Sequence, residues 1–295
     1  MTEKPGVPKN QEKEQRPQDK VVVCALTSYE DYRSDPIDQS VDQRRGAEAL
    51  QTLRTLSEKG YVVYIGDHHS STDFLREAST ISGITIEESN PEKDMSDQRV
   101  DLLQIAAHTN KPFILVMELD TKGSLINDIP ELINKAEETN AAVVVPIRNK
   151  RALNRLSKWQ RGLEERAVRR TKEQMKIFTN LDPDKLPNDI WFGPKLIRAE
   201  HLVNFTDHWP DEISRLDPRY RSLNLAVLRA MIRGHTVVGY EVEGFKYPED
   251  VVAIEHNQKF NEKRIRQFKD QLRASRAFFR TLSSPTSSET AGSQP

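Results

Sequence analysis

A chain of 295 residues with 36% apolar and 30% charged side chains can bury one sizeable core while carrying polar tails. Its 44 basic residues nearly cancel its 45 acidic ones, which argues against a nucleic-acid footprint. The single cysteine, Cys24, excludes an internal disulfide framework and, inside an apolar run, reads as a buried strand residue.

Residues 1–19 are rich in Lys, Glu, Gln and Pro without the apolar stretch of a signal peptide, and no segment approaches the ~18–20 apolar residues of a membrane span. The expectation is a soluble, cytoplasmic protein with disordered tails at 1–19 and 283–295 around a single domain at 20–282. Residues 20–26 form a short, continuous apolar run with β-branched residues, the pattern of a buried parallel strand. Residues 40–59 repeat Ala47, Leu50, Leu53 and Leu56 at helical spacing, with Gly60 as the stop. A second strand follows at 61–65, then a helix opened by the Ser71-Thr72-Asp73 cap and running to about 81. A strand at 83–87, a helix at 96–108, a strand at 112–117, a helix at 129–139 and a strand at 141–146 complete the first half. Beyond it come a charged helical stretch at 150–178, a turn-rich linker at 182–187 and a short aromatic segment at 190–194. A helix at 223–233 closed by Gly234, a strand at 236–242 and a long basic helix at 257–279 end the series.

Strands alternating with helices imply an α/β fold with a mostly parallel central sheet, flanked by helices, whose ligands sit outside the carboxyl ends of the strands. Three polar clusters fall at those ends. Thr27 to Asp31 follows the first strand and reads as a base-contacting loop or a polar turn. Asp67 to Asp73 follows the second: a carboxylate there can accept a hydrogen bond from a nucleobase, while its Ser/Thr run caps the next helix. The paired histidines, His68 and His69, diverge as neighbours in sequence and lack partners at zinc spacing, so a zinc site is not expected. Glu118-Leu119-Asp120 follows the fourth strand. Carboxylates at i and i+2 reach one cation if the chain turns, and Mg²⁺ on a diphosphate takes only one or two of them.

The order of these pieces resembles the GT-A fold of family-2 glycosyltransferases, with some similarity to the polyprenyl-phosphate sugar synthases, over about residues 20–248. Ser28-Tyr29-Glu30-Asp31 stands where those enzymes have Tyr-Asn-Glu, and Asp67 to Asp73 where they have Asp-Asp-Gly-Ser-Thr-Asp. Glu118-Leu119-Asp120 takes the place of Asp-x-Asp. The strand leading into Arg148, the segment from Asp189 through Gly193 to Arg198, and the helix–Gly–strand unit at 223–242 match later parts of the family. The resemblance implies a nucleotide-binding half at 20–148, an acceptor half at 149–256 and a C-terminal helix at 257–282. It implies a glycosyltransferase acting on a UDP or GDP sugar with Mn²⁺ or Mg²⁺. Asp67 would contact the base, Tyr29 and Glu30 would line the base and ribose pocket, and Arg99 would approach the diphosphate. Asp120 would be the main metal ligand, assisted by Glu118, with His256 as a third.

Two departures stand out. Glu118 replaces the first Asp, and Ser222-Leu223-Asn224 holds no acid where inverting members carry the Glu-Asp general base. Asp217 is the nearest acid and the candidate base. An acceptor that is already an ionised phosphate would need none, and Arg148, Lys150, Arg151, Arg155, Arg219 and Arg221 could either receive it or form a solvated surface. A non-catalytic nucleotide-sugar binder and a nucleotidyltransferase are the alternatives, the latter lacking a Gly-rich loop between Thr27 and Arg45. The apolar side of the last helix could pack on the domain, pair with a second copy to make a homodimer, or lie on an anionic membrane surface.

Overall fold

A computed structural model describes residues 15–34, 40–88, 90, 92–121, 125–215, 221–245 and 258–282. Seven strands form one sheet: β1 (Val21–Thr27), β2 (Val62–Asp67), β3 (Ile84–Glu88), β4 (Phe113–Val116), β5 (Val143–Arg148), β6 (Lys195–Arg198) and β7 (Val237–Val242). Their spatial order is β3-β2-β1-β4-β6-β5-β7. All pairings are parallel except those of β6, which runs against both β4 and β5. The expected mostly parallel α/β sheet is therefore present. Its one reversed strand, Lys195-Leu-Ile-Arg, is missing from the sequence reading because four residues with a charge at each end carry no strand-length apolar run.

Alternate residues of β1 enter opposite cores. Val21, Val23 and Ala25 face one side, and Val22 and Cys24 the other, all at most 1% exposed. Helices α2 (Val41–Glu58), α3 (Thr72–Ser79) and α5 (Ile129–Glu138) cover the first side. Leu50, Leu53 and Leu56 of α2 are buried there, each such side chain contributing roughly 1.5–3 kcal/mol. Ser40 caps α2 by accepting from the Gln43 N–H (3.1 Å), and Gly60, at φ 76°, ends it. Helix α4 (Met95–Ala107) covers the second side with α7 (Lys158–Phe178), α10 (Ala226–Ile232) and α11 (Gln258–Thr281). Between them lie the single turns α6 (Lys150–Leu153), α8 (Val203–Thr206) and α9 (Asp211–Ser214).

One expectation changes at the amino end, and at the other end one of the alternatives for the last helix is seen. Residues 17–19, read as part of a disordered tail, and Lys20, read as the start of the first strand, form a helical turn, α1 (Pro17–Lys20), held by Arg16–Asp19 and by Lys111 Nζ donating to the Gln18 carbonyl at 2.5 Å. Helix α11 turns its Ala274, Phe278 and Phe279 onto the domain itself: Phe279 stacks on Phe178 and Phe278 meets Trp209 edge-on. Among the described residues no helix is long and apolar enough to cross a membrane.

Candidate functional site

Because β1, β2, β4 and β5 are parallel, their carboxyl ends share one edge of the sheet. Reversed β6 delivers its amino end to the same place, with Lys195 opposite Val116. The sheet thus gathers Tyr29, Asp67, Glu118, Asp120, Arg148 and Lys195 from positions far apart in the chain.

The first two clusters interlock. Asp67, 7% exposed, accepts from Thr27 Oγ1 (2.7 Å) and from the Ser70 N–H (3.0 Å), while Ser70 Oγ accepts from the Tyr29 N–H (3.0 Å). Asp67 therefore clamps the loop after β2 onto the end of β1, a task the strand-end pattern did not reveal. His69 adopts a left-handed backbone (φ 68°), and this draws the two histidine rings to 4.4 Å between centroids. They do not diverge, as expected of sequence neighbours. Among the described residues no three His, Cys, Asp or Glu side chains form a metal-holding group.

Tyr29 is 3% exposed, packed edge-on against Phe74 at 4.8 Å. Burial, with Asp120 assisting, holds its phenol far above the ordinary range. It is a wall of the core and offers little ring surface to a ribose. Glu30 is exposed and has no hydrogen bond or ion pair among the described residues.

Asp120 is engaged by Arg45 of α2, whose Nε donates to Asp120 Oδ2. The Arg45 guanidinium also lies 5.8 Å from the centre of the Tyr29 ring. Burial opposes the charge on Arg45, but Asp120, Tyr29 and Glu118 together keep its pKa above the ordinary value. Glu118 is exposed, yet neighbouring protein strips part of the hydration from its carboxyl. That desolvation, added to the Asp120 charge, pushes its carboxyl up against the pull of Arg45, Arg264 and Arg148. Its Oε1 occupies the space above Gly193, where any Cβ would collide with it. Burial also lowers Arg99 to about 10, with Glu118 the charge that opposes the shift. Arg99 thus feels the charge of the Glu118–Asp120 turn.

Lys195, fully buried, donates to the carbonyls of Phe192 and Pro194. Burial drives its pKa down to about 7 against the opposing charges of Asp189 and Glu118. Nothing in a four-residue strand signalled it. Arg148, 4% exposed, is gripped bidentately by Asp189 (Nε–Oδ2 2.8 Å, NH2–Oδ1 2.6 Å) and by Glu164 (2.6 Å). Its guanidinium lies 4.6 Å from the Phe192 ring centre. Arg221 is likewise taken up, by Asp94 and the Ser214 carbonyl. Of the six basic residues considered for a phosphate, Arg148 and Arg221 serve the fold, Lys150 and Arg151 remain exposed on α6, Arg155 is half-buried just after it, and Arg219 lies outside the described residues.

Asn224, where a catalytic acid would stand, is buried and donates to the Ile190 carbonyl at 2.7 Å, supporting the segment that carries Gly193. The candidate base Asp217 and the candidate ligand His256 lie outside the described residues.

A divalent ion held as expected, by both Glu118 and Asp120, needs the pair open to it. Here one member, Asp120, already holds a guanidinium, and a cation seated between Asp120 and Glu118 would displace Arg45. As a pair, these two carboxylates do not fit Mn²⁺ or Mg²⁺ as they stand.

No family model matches this chain, and no curated protein does. Among solved structures it is similar to one named a nucleotide-diphospho-sugar transferase from Desulfovibrio desulfuricans G20. The TM-score is 0.41 at 10% identity, covering 87% of this chain and 98% of that one. It is also similar to a cytidylyltransferase from Leptospira borgpetersenii serovar Hardjo-bovis, at TM-score 0.41 and 10% identity over 77% of this chain and 78% of the other. Likeness at this level assigns no role to any residue.

Proposed function

We propose that the chain is a transferase that binds a nucleoside-diphosphate sugar at the carboxyl edge of its sheet and passes the sugar to a polar acceptor. One observation carries this reading: the end of β1, the Asp67 loop, the Glu118–Asp120 turn and the Gly193 segment, widely separated in sequence, share one edge of the sheet, where charged groups gather. An α/β sheet places its ligands there. Cationic groups at such an edge can offset charge developing on a departing diphosphate. Asp67 has both oxygens engaged, so a nucleobase would meet it as a second acceptor contact on an already oriented carboxylate. A phosphorylated acceptor would meet Lys150 and Arg151, exposed just past the end of β5.

Asn224 favours a second reading, a nucleotide-sugar binder without transfer, because an amide cannot take the acceptor's proton. Thermal-shift titration with UDP, GDP and their sugar conjugates tests the shared part of both. One nucleotide class should stabilise the protein by about 2.7 kcal/mol at a hundredfold excess over Kd. No shift with any of them at millimolar concentration would overturn both readings. Sugar release or transfer by the bound donor would then separate them.

A further inference from the structure

Arg45 lies near the start of α2, an 18-residue helix whose own field favours anions at that end. Its Nε is spent on Asp120, but among the described residues its two terminal nitrogens meet no acceptor, and the side chain remains 40% exposed. Asp120, by contrast, is only 12% exposed at its side chain. The arrangement is that of an inner carboxylate aiming an outer guanidinium, with the forked donor edge that suits phosphate oxygens turned away from it. The Tyr29 ring flanks the guanidinium and limits its swing.

We infer that Arg45, positioned by Asp120, binds the diphosphate of the nucleotide directly and takes the place of the divalent metal ion. Asp120 is then a positioning residue for an arginine and not a metal ligand. This rests on the nucleotide-sugar reading above and adds which group meets its phosphates.

The two roles of Asp120 diverge in the Asp120→Asn variant. An amide oxygen still accepts from Arg45 Nε but binds Mn²⁺ poorly. The experiment measures the Kd of UDP and GDP by calorimetry, with EDTA and with Mn²⁺, for the parent chain and for Asp120→Asn, Asp120→Ala, Arg45→Lys and Arg45→Ala. Circular dichroism checks that each is folded. The parent should bind one of the two nucleotides with Kd values agreeing within about threefold in EDTA and Mn²⁺. Arg45→Ala should weaken binding about 10–100-fold in both buffers, the range of roughly 1.5–3 kcal/mol for a hydrogen bond to a charged group. Arg45→Lys should recover part of that loss, and Asp120→Asn should stay within about fivefold of the parent while Asp120→Ala does not. Binding lost in EDTA, or an Arg45→Ala variant that binds more tightly with Mn²⁺, would overturn the inference and leave the nucleotide reading standing. No binding to the parent in either buffer would overturn both.

Discussion

An ammonium group with every face covered by protein is the clearest physical anomaly at the residue scale. Lys195 has two carbonyls to donate to, and these do not replace the hydration of a full charge. Burial therefore lowers its pKa to about 7 from the ordinary 10.5. The sign follows directly. Below pH 7 the group is charged in both folded and unfolded chains, and its burial penalty is fully present. Between about 7 and 10.5 only the unfolded chain holds the extra proton, so this group makes stability rise with pH across that window. Lys195→Met should accordingly be more stable than the parent near pH 6, by about 1–3 kcal/mol, with the gap narrowing towards pH 10. Urea unfolding at both pH values checks it, and a gap that does not depend on pH would show the ammonium to be solvated.

Elements were legible wherever a helix or strand buried a continuous face. The Leu50-Leu53-Leu56 row predicts α2 because three- and four-residue steps return to one side of the helix, and that side is in fact the buried one. Gly60 and the Ser71 cap mark boundaries for equally local reasons. Strand β6 escaped because what makes it a strand is its pairing with β4 and β5, 79 residues earlier at Val116–Lys195 and 54 earlier at Val143–Ile197, and not its own pattern. The basic helix α11 was legible as a helix but not as to its partner. Its aromatic end is committed to α7, and Phe279 is fully buried against Phe178. Phe279→Ala should cost about 3–5 kcal/mol in unfolding free energy, measured by denaturant titration. A loss below 1 kcal/mol would mean that α11 contributes little to the packing seen here.

Across the whole molecule, the Arg148–Asp189 pair ties the end of β5 to the segment that carries Gly193 towards Glu118. Removing Asp189 takes the bidentate partner from a buried guanidinium and leaves it with Glu164. Asp189→Ala should cost about 3–5 kcal/mol of stability. It should also weaken nucleotide binding through displacement of the Gly193 segment. Calorimetric melting with and without nucleotide reads both. Asp189→Asn, which keeps an acceptor, should lose less in each. Unchanged melting in Asp189→Ala would show that the two halves of the sheet are joined by other contacts.

The amino-acid sequence by itself determined the α/β class, most of the strands and the edge of the sheet on which polar clusters would gather, because apolar periodicity and strand-end polarity are local consequences of burial. It also marked Glu118 and Asp120 as a pair. Only the tertiary structure decided what those groups touch: Arg45 on Asp120, Gly193 beneath Glu118, Asp189 around Arg148, Thr27 on Asp67. Each of these contacts joins residues 40 or more positions apart, and pairing at that range is set by sheet order and by the reversal of β6. A carboxylate's role depends on which charge reaches it first, and that is a property of the folded arrangement.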